Sequence, residues 1–247
     1  MSEEWLFGRH PVSEALRSGR TINKIWLNRE GKGLSELIDQ IKASGTVYQF
    51  VPRQKLDQLA GSEHHQGVVA SIAAYRYAEL DDLFALAEQR SEHPFFLMLD
   101  SVEDPHNLGS ILRTADATGC HGIIIPKRRS VGLTAAVAKA STGAVEYVPV
   151  ARVPNLATAM AEMKKRGVWF AGTAADAKTL YTHADYALPL CLVIGNEGEG
   201  MSPLVRKRCD FLISIPMRGQ VTSLNASVAA SLLMYEVFRG REGQTDG

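Results

Sequence analysis

Three short segments of this chain carry polar side chains at spacings that folding alone does not require. The first is Asp100-Ser101-Val102-Glu103-Asp104-Pro105-His106-Asn107-Leu108-Gly109-Ser110-Ile111-Leu112-Arg113. Its Asn107 stands where a helix begins and reads either as a cap or as a hydrogen-bonding group for a ligand. Arg113 lies among Ile111, Leu112 and Ala115, and a guanidinium near an apolar helix face needs a carboxylate or phosphate partner. Positions six apart do not share a helix face, so any meeting of Asn107 and Arg113 relies on the long arginine side chain. The second segment, Ile194-Gly195-Asn196-Glu197-Gly198-Glu199-Gly200, alternates glycines with polar residues, which suits a tight turn and close approach of backbone to a ligand. Its spacing is not the G-x-G-x-x-G dinucleotide fingerprint, and no Gly-Lys-Ser/Thr follows it as in a P-loop. The third runs Ile215-Pro216-Met217-Arg218-Gly219-Gln220-Val221-Thr222-Ser223-Leu224-Asn225-Ala226-Ser227. Ser223 or Asn225 caps the helix that follows, but capping needs neither both nor the Pro-Met-Arg-Gly loop before them.

Each segment follows a short apolar run, and those runs define the elements that must position it. In the second half, strands are expected at 95–99, 122–125, 168–172, 191–194 and 211–215. Helices are expected at 107–118, 131–140, 154–166 and 225–238. Apolar strands alternating with helices imply an α/β fold, a mostly parallel sheet covered on both faces. Ligands in such sheets sit beyond the carboxyl ends of the strands, where all three polar segments fall. The first half reads as a smaller α/β unit. It has helices at 11–18, 34–44 and 53–60 and strands at 22–27, 46–51 and 68–74. Between the halves, residues 77–93 carry one Arg against five Asp or Glu and hold a short amphipathic helix stopped by His93-Pro94. The expected organisation is a domain at 1–76, an acidic linker at 77–93 and a second domain at 94–247.

Composition sets outer bounds. The 247 residues are 45% hydrophobic and 22% charged, with no formal net charge, which argues against coating nucleic acid by bulk electrostatics. The longest apolar runs are strand-sized, and the acidic start Met1-Ser2-Glu3-Glu4 lacks the features of a signal peptide, so a cytoplasmic protein without membrane contact is expected. Cys120, Cys191 and Cys209 are widely spaced among apolar residues and read as reduced core thiols. No metal site is expected: no Asp/His cluster stands out, and the adjacent His64 and His65 point apart, which favours exposed surface or RNA contact. Basic triplets at Lys127-Arg128-Arg129, Lys164-Lys165-Arg166 and Arg206-Lys207-Arg208 read as solvated surface unless other signals point to RNA.

Together the three segments resemble the signature motifs of the SpoU/TrmH family of SPOUT RNA methyltransferases. The first motif's Asn and Arg match Asn107 and Arg113. The second motif's Gly-Asn-Glu-x-x-Gly matches Gly195, Asn196, Glu197 and Gly200. The third, Ile-Pro-Met followed by Ser-Leu-Asn-x-Ser-x-Ala, matches residues 215–229. Phe7-Gly8-Arg9-His10-Pro11-Val12-Ser13-Glu14-Ala15-Leu16 is similar to the opening of members with an N-terminal RNA-binding domain like ribosomal protein L30e. The resemblance implies a trefoil knot in the second domain, a homodimer formed through that domain, and S-adenosyl-L-methionine as cofactor. It implies 2′-O-ribose methylation of RNA, with a guanosine in the peptidyl-transferase region of 23S ribosomal RNA as the expected acceptor. Transfer RNA, another ribosomal site and a silent RNA-binding assembly factor are the alternatives. On this reading Asn107, Arg113, Glu197, Ser223 and Asn225 are catalytic. Thr173, Gly195, Asn196, Ile215, Met217 and Leu224 hold the cofactor, and Arg9, His10 and Arg17 touch RNA. The family role of the arginine is either general base or, as guanidinium chemistry favours, phosphate binder and stabiliser of the developing alkoxide. Glu197 would orient Arg113 or a ribose.

Overall fold

The computed structural model describes residues 3–242 except 18, 19, 21, 32, 74 and 222, and divides into two compact units, 1–76 and 77–247. The expected ends of the first helix at Ser18 and of the strand at residue 74 lie outside the described residues.

The first unit contains β1 (Glu3–Phe7), α1 (Arg9–Arg17), β2 (Ile22–Asn28), α2 (Ser35–Ser44), β3 (Tyr48–Val51), α3 (Arg53–Ala60) and β4 (Val68–Ala73). Its sheet has the order β1-β4-β2-β3. β4 pairs antiparallel with both neighbours, while β2 and β3 run parallel. β1 was not expected, because its two leading glutamates hide the apolar pattern; pairing with β4 makes it a strand. Alternation along β2 buries Ile25 and Leu27 on one face and leaves Lys24 and Trp26 partly exposed on the other.

The second unit holds α4 (Leu80–Arg90), β5 (Phe95–Leu99), α5 (Pro105–Ala117), β6 (Gly122–Pro126), α6 (Ala135–Ser141), β7 (Val150–Val153), α7 (Leu156–Lys165), β8 (Trp169–Thr173), β9 (Thr179–Leu180), β10 (Leu190–Ile194), α8 (Pro203–Arg208), β11 (Phe211–Ser214) and α9 (Ala226–Glu242). The seven strands order as β7-β6-β5-β10-β8-β11-β9, every adjacent pair parallel. β5, β10 and the first four residues of β6 are fully buried, as a sheet covered on both faces requires. One face packs Phe96, Met98, Phe170 and Val193 against α4 and α7; α5, α6 and α9 pack together, with α9 against β10. β7 and β9 escaped the sequence reading because both are short edge strands with little periodicity of their own.

Residues 77–93 are not a linker. They open the second unit: α4 buries Leu83, Phe84 and Ala87 in its core, and Leu83 occupies the space a Cβ on Gly122 would need. The acids face outward, where Asp81 pairs with Arg166 at 2.7 Å and Asp82 accepts the Glu79 amide at 2.9 Å. Arg166 also stacks on Phe84, 3.3 Å from its ring centre, tying α4 to the end of α7. The amphipathic stripe thus docks instead of bridging two domains in solvent. At the far end of α9, Arg241 donates to the carbonyls of Tyr186, His93, Pro94 and Leu188. Cys120 and Cys191 are buried thiols, and burial pushes Cys120 up to about 12 and Cys191 well above its ordinary range.

Candidate active site

The loops leaving β8, β10 and β11 enclose a cavity of about 400 Å³, within the range of small-molecule sites. Its position follows from topology: the three strands are neighbours, and their carboxyl ends open on one edge of the sheet. Thr173, Gly195, Asn196, Ile215, Met217 and Leu224 all line it, as do Glu197 and Ser223. The floor is set by Gly195, where an added Cβ would lie 2.2 Å from the backbone carbon of Gly200 and 2.3 Å from the Met201 amide nitrogen. No side chain fits there, so the turn after β10 closes on itself with its backbone facing the cavity. Asn196 fastens that turn. Its Oδ1 accepts from the Gly198 amide at 2.8 Å, its Nδ2 donates to the Ser101 carbonyl at 3.1 Å, and its backbone bridges Gly200.

Beside the cavity three motif residues form one chain of hydrogen bonds. Asn107 is buried, with 6% of its surface exposed. Its Nδ2 donates to Glu197 Oε1 at 2.5 Å, and its Oδ1 accepts from Asn225 Nδ2 at 2.9 Å. Glu197 Oε1 also accepts from the Ala226 amide at 3.3 Å, which places the carboxylate at the positive end of α9. Asn225 Oδ1 caps that helix, accepting from the Ser227 amide at 2.9 Å and the Ser227 hydroxyl at 2.6 Å. Asn225 is therefore the cap, and Ser223 is left exposed at the cavity wall. The cap of α5 is Asp104, which accepts the His106 amide at 2.8 Å; Asn107, inside the first turn, is free to serve the site.

Arg113 does not join this chain. α5 buries Ile111, Leu112 and Ala115 and turns Arg113 to solvent, because successive residues rotate by about 100° around a helix. No carboxylate pairs with Arg113 among the described residues, which leaves the phosphate of the two expected partners, and Glu197 is bonded to Asn107 and the Ala226 amide. Two groups lining the cavity were missed. Asp176 receives both bonds of an Arg206 fork, at 2.8 and 2.9 Å, and the hydrogen bond from Arg206 lowers its pKa. Asp176 lies just past the carboxyl end of β8, a position that the strand-end rule marks; Arg206 was hidden in a basic triplet. Asp100 is buried and accepts the Ser202 amide at 2.7 Å, pinning the first motif loop to the second.

In the first unit, Arg9 donates to the Gly33 carbonyl at 3.3 Å, His10 is exposed, and Arg17 is shared between Glu14 at 3.4 Å and Glu36 at 3.8 Å, which offsets its charge. His65 is not surface. It is buried, 2.8 Å from Asp57, and its Nδ1 accepts the Gly67 amide, while His64 is exposed. A Trp5–Trp26 pair at 5.4 Å, with Lys24 5.3 Å from the Trp26 ring centre, went unread.

Comparison with known proteins agrees with the geometry. Residues 94–235 match the model of the SpoU rRNA Methylase family, and residues 5–78 match that for RNA 2′-O ribose methyltransferase substrate binding. A protein of Bacillus subtilis, YacO, whose name places it in the TrmH family of tRNA/rRNA methyltransferases, is 58% identical over 240 residues, covering 96% of each chain. The SpoU methyltransferase AviRb from Streptomyces viridochromogenes, solved with its cofactor AdoMet, is 28% identical with a TM-score of 0.76, over 98% of this chain and 91% of that one. An AdoMet-bound rRNA methyltransferase from Sinorhizobium meliloti gives 27% identity and a TM-score of 0.73, over 96% and 87%. A parallel sheet with its cavity at the carboxyl edge, the Asn107–Glu197–Asn225 chain beside it and a full-length relative together place this chain in the SpoU/TrmH family of RNA methyltransferases.

Proposed function

We propose that this protein transfers the methyl group of S-adenosylmethionine to a ribose 2′-hydroxyl of RNA, its acceptor a guanosine in the peptidyl-transferase region of 23S ribosomal RNA. The observation that carries the reading is the hydrogen-bonded chain Glu197–Asn107–Asn225 at the wall of the Gly195 cavity. The 23S acceptor follows the full-length resemblance to the bacterial guanosine 2′-O-methyltransferase RlmB. The knotted topology, the cytoplasmic location and the RNA-gripping role of residues 1–76, with Arg9 and His10 as contacts, belong to the same reading.

The cavity suits the cofactor. Its volume, the close backbone approach at Gly195 and the apolar side chains of Ile215, Met217 and Leu224 fit a flat base and a sulfonium-bearing chain held by main-chain groups. When bound, S-adenosylmethionine supplies a methyl group already activated on a sulfonium. The protein's share is alignment and charge. Glu197, held on Oε1 by Asn107 and the Ala226 amide, presents a fixed acceptor to a ribose hydroxyl entering the cavity. Ser223 stands exposed at the same wall to hydrogen-bond the sugar. Fixing these groups before the substrate arrives removes reorganisation from the reaction step.

Arg113 takes its place through a homodimer. A groove of about 350 Å³ is lined by Ser110 of α5 and by Ser227, Val228, Ser231, Leu232 and Tyr235 of α9. Val228, Leu232 and Tyr235 are 47%, 41% and 52% exposed, apolar surface that a second copy would cover. Arg113 is one turn beyond Ser110 and so borders that face, where it would bind the RNA phosphate and steady the developing alkoxide. The test is methyl transfer from labelled S-adenosylmethionine to unmodified 23S ribosomal RNA and transfer RNA, with Arg113→Ala beside wild type. Label in an alkali-resistant dinucleotide of ribosomal RNA, lost in the variant, is expected. Label in transfer RNA alone moves the substrate, and no label in either sinks the enzyme reading.

A further inference from the structure

Three basic triplets run along the second unit, and the fold separates them. Lys164-Lys165-Arg166 ends α7 just before β8, and Arg206-Lys207-Arg208 ends α8 just before β11. The first triplet therefore lies at the amino-terminal edge of the sheet, away from the cavity; of the second, Arg206 reaches back to the cavity wall and pairs with Asp176, while Lys207 and Arg208 lead toward the start of β11. The leading charges of both triplets are also spent: Lys164 pairs with Asp210 at 2.6 Å, Arg166 with Asp81 at 2.7 Å and Arg206 with Asp176 at 2.8 Å. Lys127-Arg128-Arg129 instead follows the carboxyl end of β6, on the edge where the cavity opens. β6 stands two strands from β10, about 10 Å at ordinary interstrand spacing, within reach of nucleotides flanking one held in the cavity.

The loop at 127–133 is fixed while its arginines are free. The Lys127 amide donates to the Val153 carbonyl at 2.8 Å, and the Lys127 carbonyl accepts from Arg152 at 3.1 Å. The Val131 amide donates to the Val102 carbonyl at 3.1 Å, joining this loop to the one that leads into α5 and Asn107. The Leu133 amide donates to the Tyr77 hydroxyl at 2.8 Å. Lys127 lines a groove with Glu79, Asp81 and Glu162, which offset its charge. Arg128 and Arg129 are exposed, with no acidic side chain paired to either among the described residues. Arg129 also holds φ at +56°, a left-handed conformation that glycine would adopt more easily. An arginine kept at a strained backbone position with an unneutralised side chain points to a use for the charge.

We infer that Arg128 and Arg129 form a phosphate grip on the catalytic unit, holding the RNA backbone beside the target nucleotide. The inference rests on the RNA methyltransferase reading and adds to it a contact outside both the motifs and the first unit. Anions approaching this edge meet two guanidinium forks on a pre-set loop, which suits phosphate oxygens. The grip would carry no sequence information; it would set register and contribute a salt-dependent part of the affinity.

The test compares wild type, Arg128→Ala with Arg129→Gly, and the equal charge loss Lys207→Ala with Arg208→Ala at the opposite edge. Binding of unmodified 23S ribosomal RNA and transfer RNA transcripts is measured across a salt series, and S-adenosylmethionine binding alongside. The loop variant should lose about tenfold in RNA affinity near 0.15 M salt, and its salt dependence should flatten by about two counterions. Its cofactor affinity and melting temperature should hold, since Arg129→Gly relieves strain. The opposite-edge variant should match wild type. A loop variant that binds RNA as wild type does, or an opposite-edge variant that weakens it equally, overturns the grip. Wild type that binds cofactor but neither RNA fails the underlying reading instead, so the two failures stay distinct.

Discussion

Asn107 donates from Nδ2 to Glu197 Oε1 at 2.5 Å, so a residue of the first turn of α5 and one of the loop after β10 share a single part-buried polar contact. With Asn225 on its other side, Asn107 is satisfied at both ends of its amide. Asn107→Ala should cost about 1–3 kcal/mol, because Glu197 and Asn225 both lose a partner at a largely buried position. Asn107→Asp should cost more, setting one carboxylate against another. Urea unfolding of the three proteins checks the order; an alanine variant as stable as wild type would show that the contact is idle.

Asn225 does two jobs that substitution can separate. It caps α9 through Oδ1 and donates to Asn107 through Nδ2. Asn225→Ala should lose about 1 kcal/mol for the cap. Asn225→Ser should regain most of that stability yet leave Asn107 without its donor, so methyl transfer should stay depressed in both. Serine restoring turnover together with stability would reduce Asn225 to a cap.

At Gly195 an added methyl meets backbone, and at Gly219 its nearest neighbour is 4.0 Å away. Gly195→Ala should therefore open the turn and weaken S-adenosylmethionine binding by more than about tenfold, roughly 1.4 kcal/mol or above. Gly219→Ala should bind as wild type does. Calorimetric titration of the cofactor distinguishes them, and equal affinities would remove the turn from the cofactor site.

His121 makes stability depend on pH. It is fully buried, its Nδ1 accepts from the Phe95 amide at 3.0 Å, and its Nε2 lies 3.0 Å from Glu92 without the alignment of a good hydrogen bond. Burial lowers its pKa below 6.5, opposed by the Glu92 charge and helped by Arg90 and Arg241. The unfolded chain then takes up the proton first as the medium acidifies. Stability should be level above about pH 6.5 and fall between there and the lower folded value. Urea midpoints at pH 7.5 and 5.5 should differ in wild type and converge in His121→Gln. An unchanged difference would assign the acid sensitivity elsewhere.

The site was legible where chemistry left residues that packing cannot use. Asn107, Glu197 and Asn225 read as excess polarity after strands, and the structure joins them. The apolar setting read for Arg113 was wrong because its neighbours in sequence are apolar, whereas helical rotation turns its side chain to solvent. The acidic stretch at 77–93 read as a linker because charge density is visible in a sequence and a docking surface is not; Leu83 finds its place only against Gly122. β1, β7 and β9 are strands by virtue of their partners. Asp176 and Arg206 meet across an ion pair that no spacing in the chain announces.

The middle of the large sheet also sets a clock. β10 lies between β5 and β8, so residue 95 is bonded alongside residue 190, and the two central strands cannot meet until most of the chain has been made. Parallel pairings between distant segments close large loops before any contact rewards them, and such topologies fold slowly. Until β10 arrives, β5 waits with one edge open, a surface that invites association with other unfinished chains. Raising the temperature or the rate of synthesis should therefore lower the soluble yield of this protein well before it affects the stability of molecules already folded.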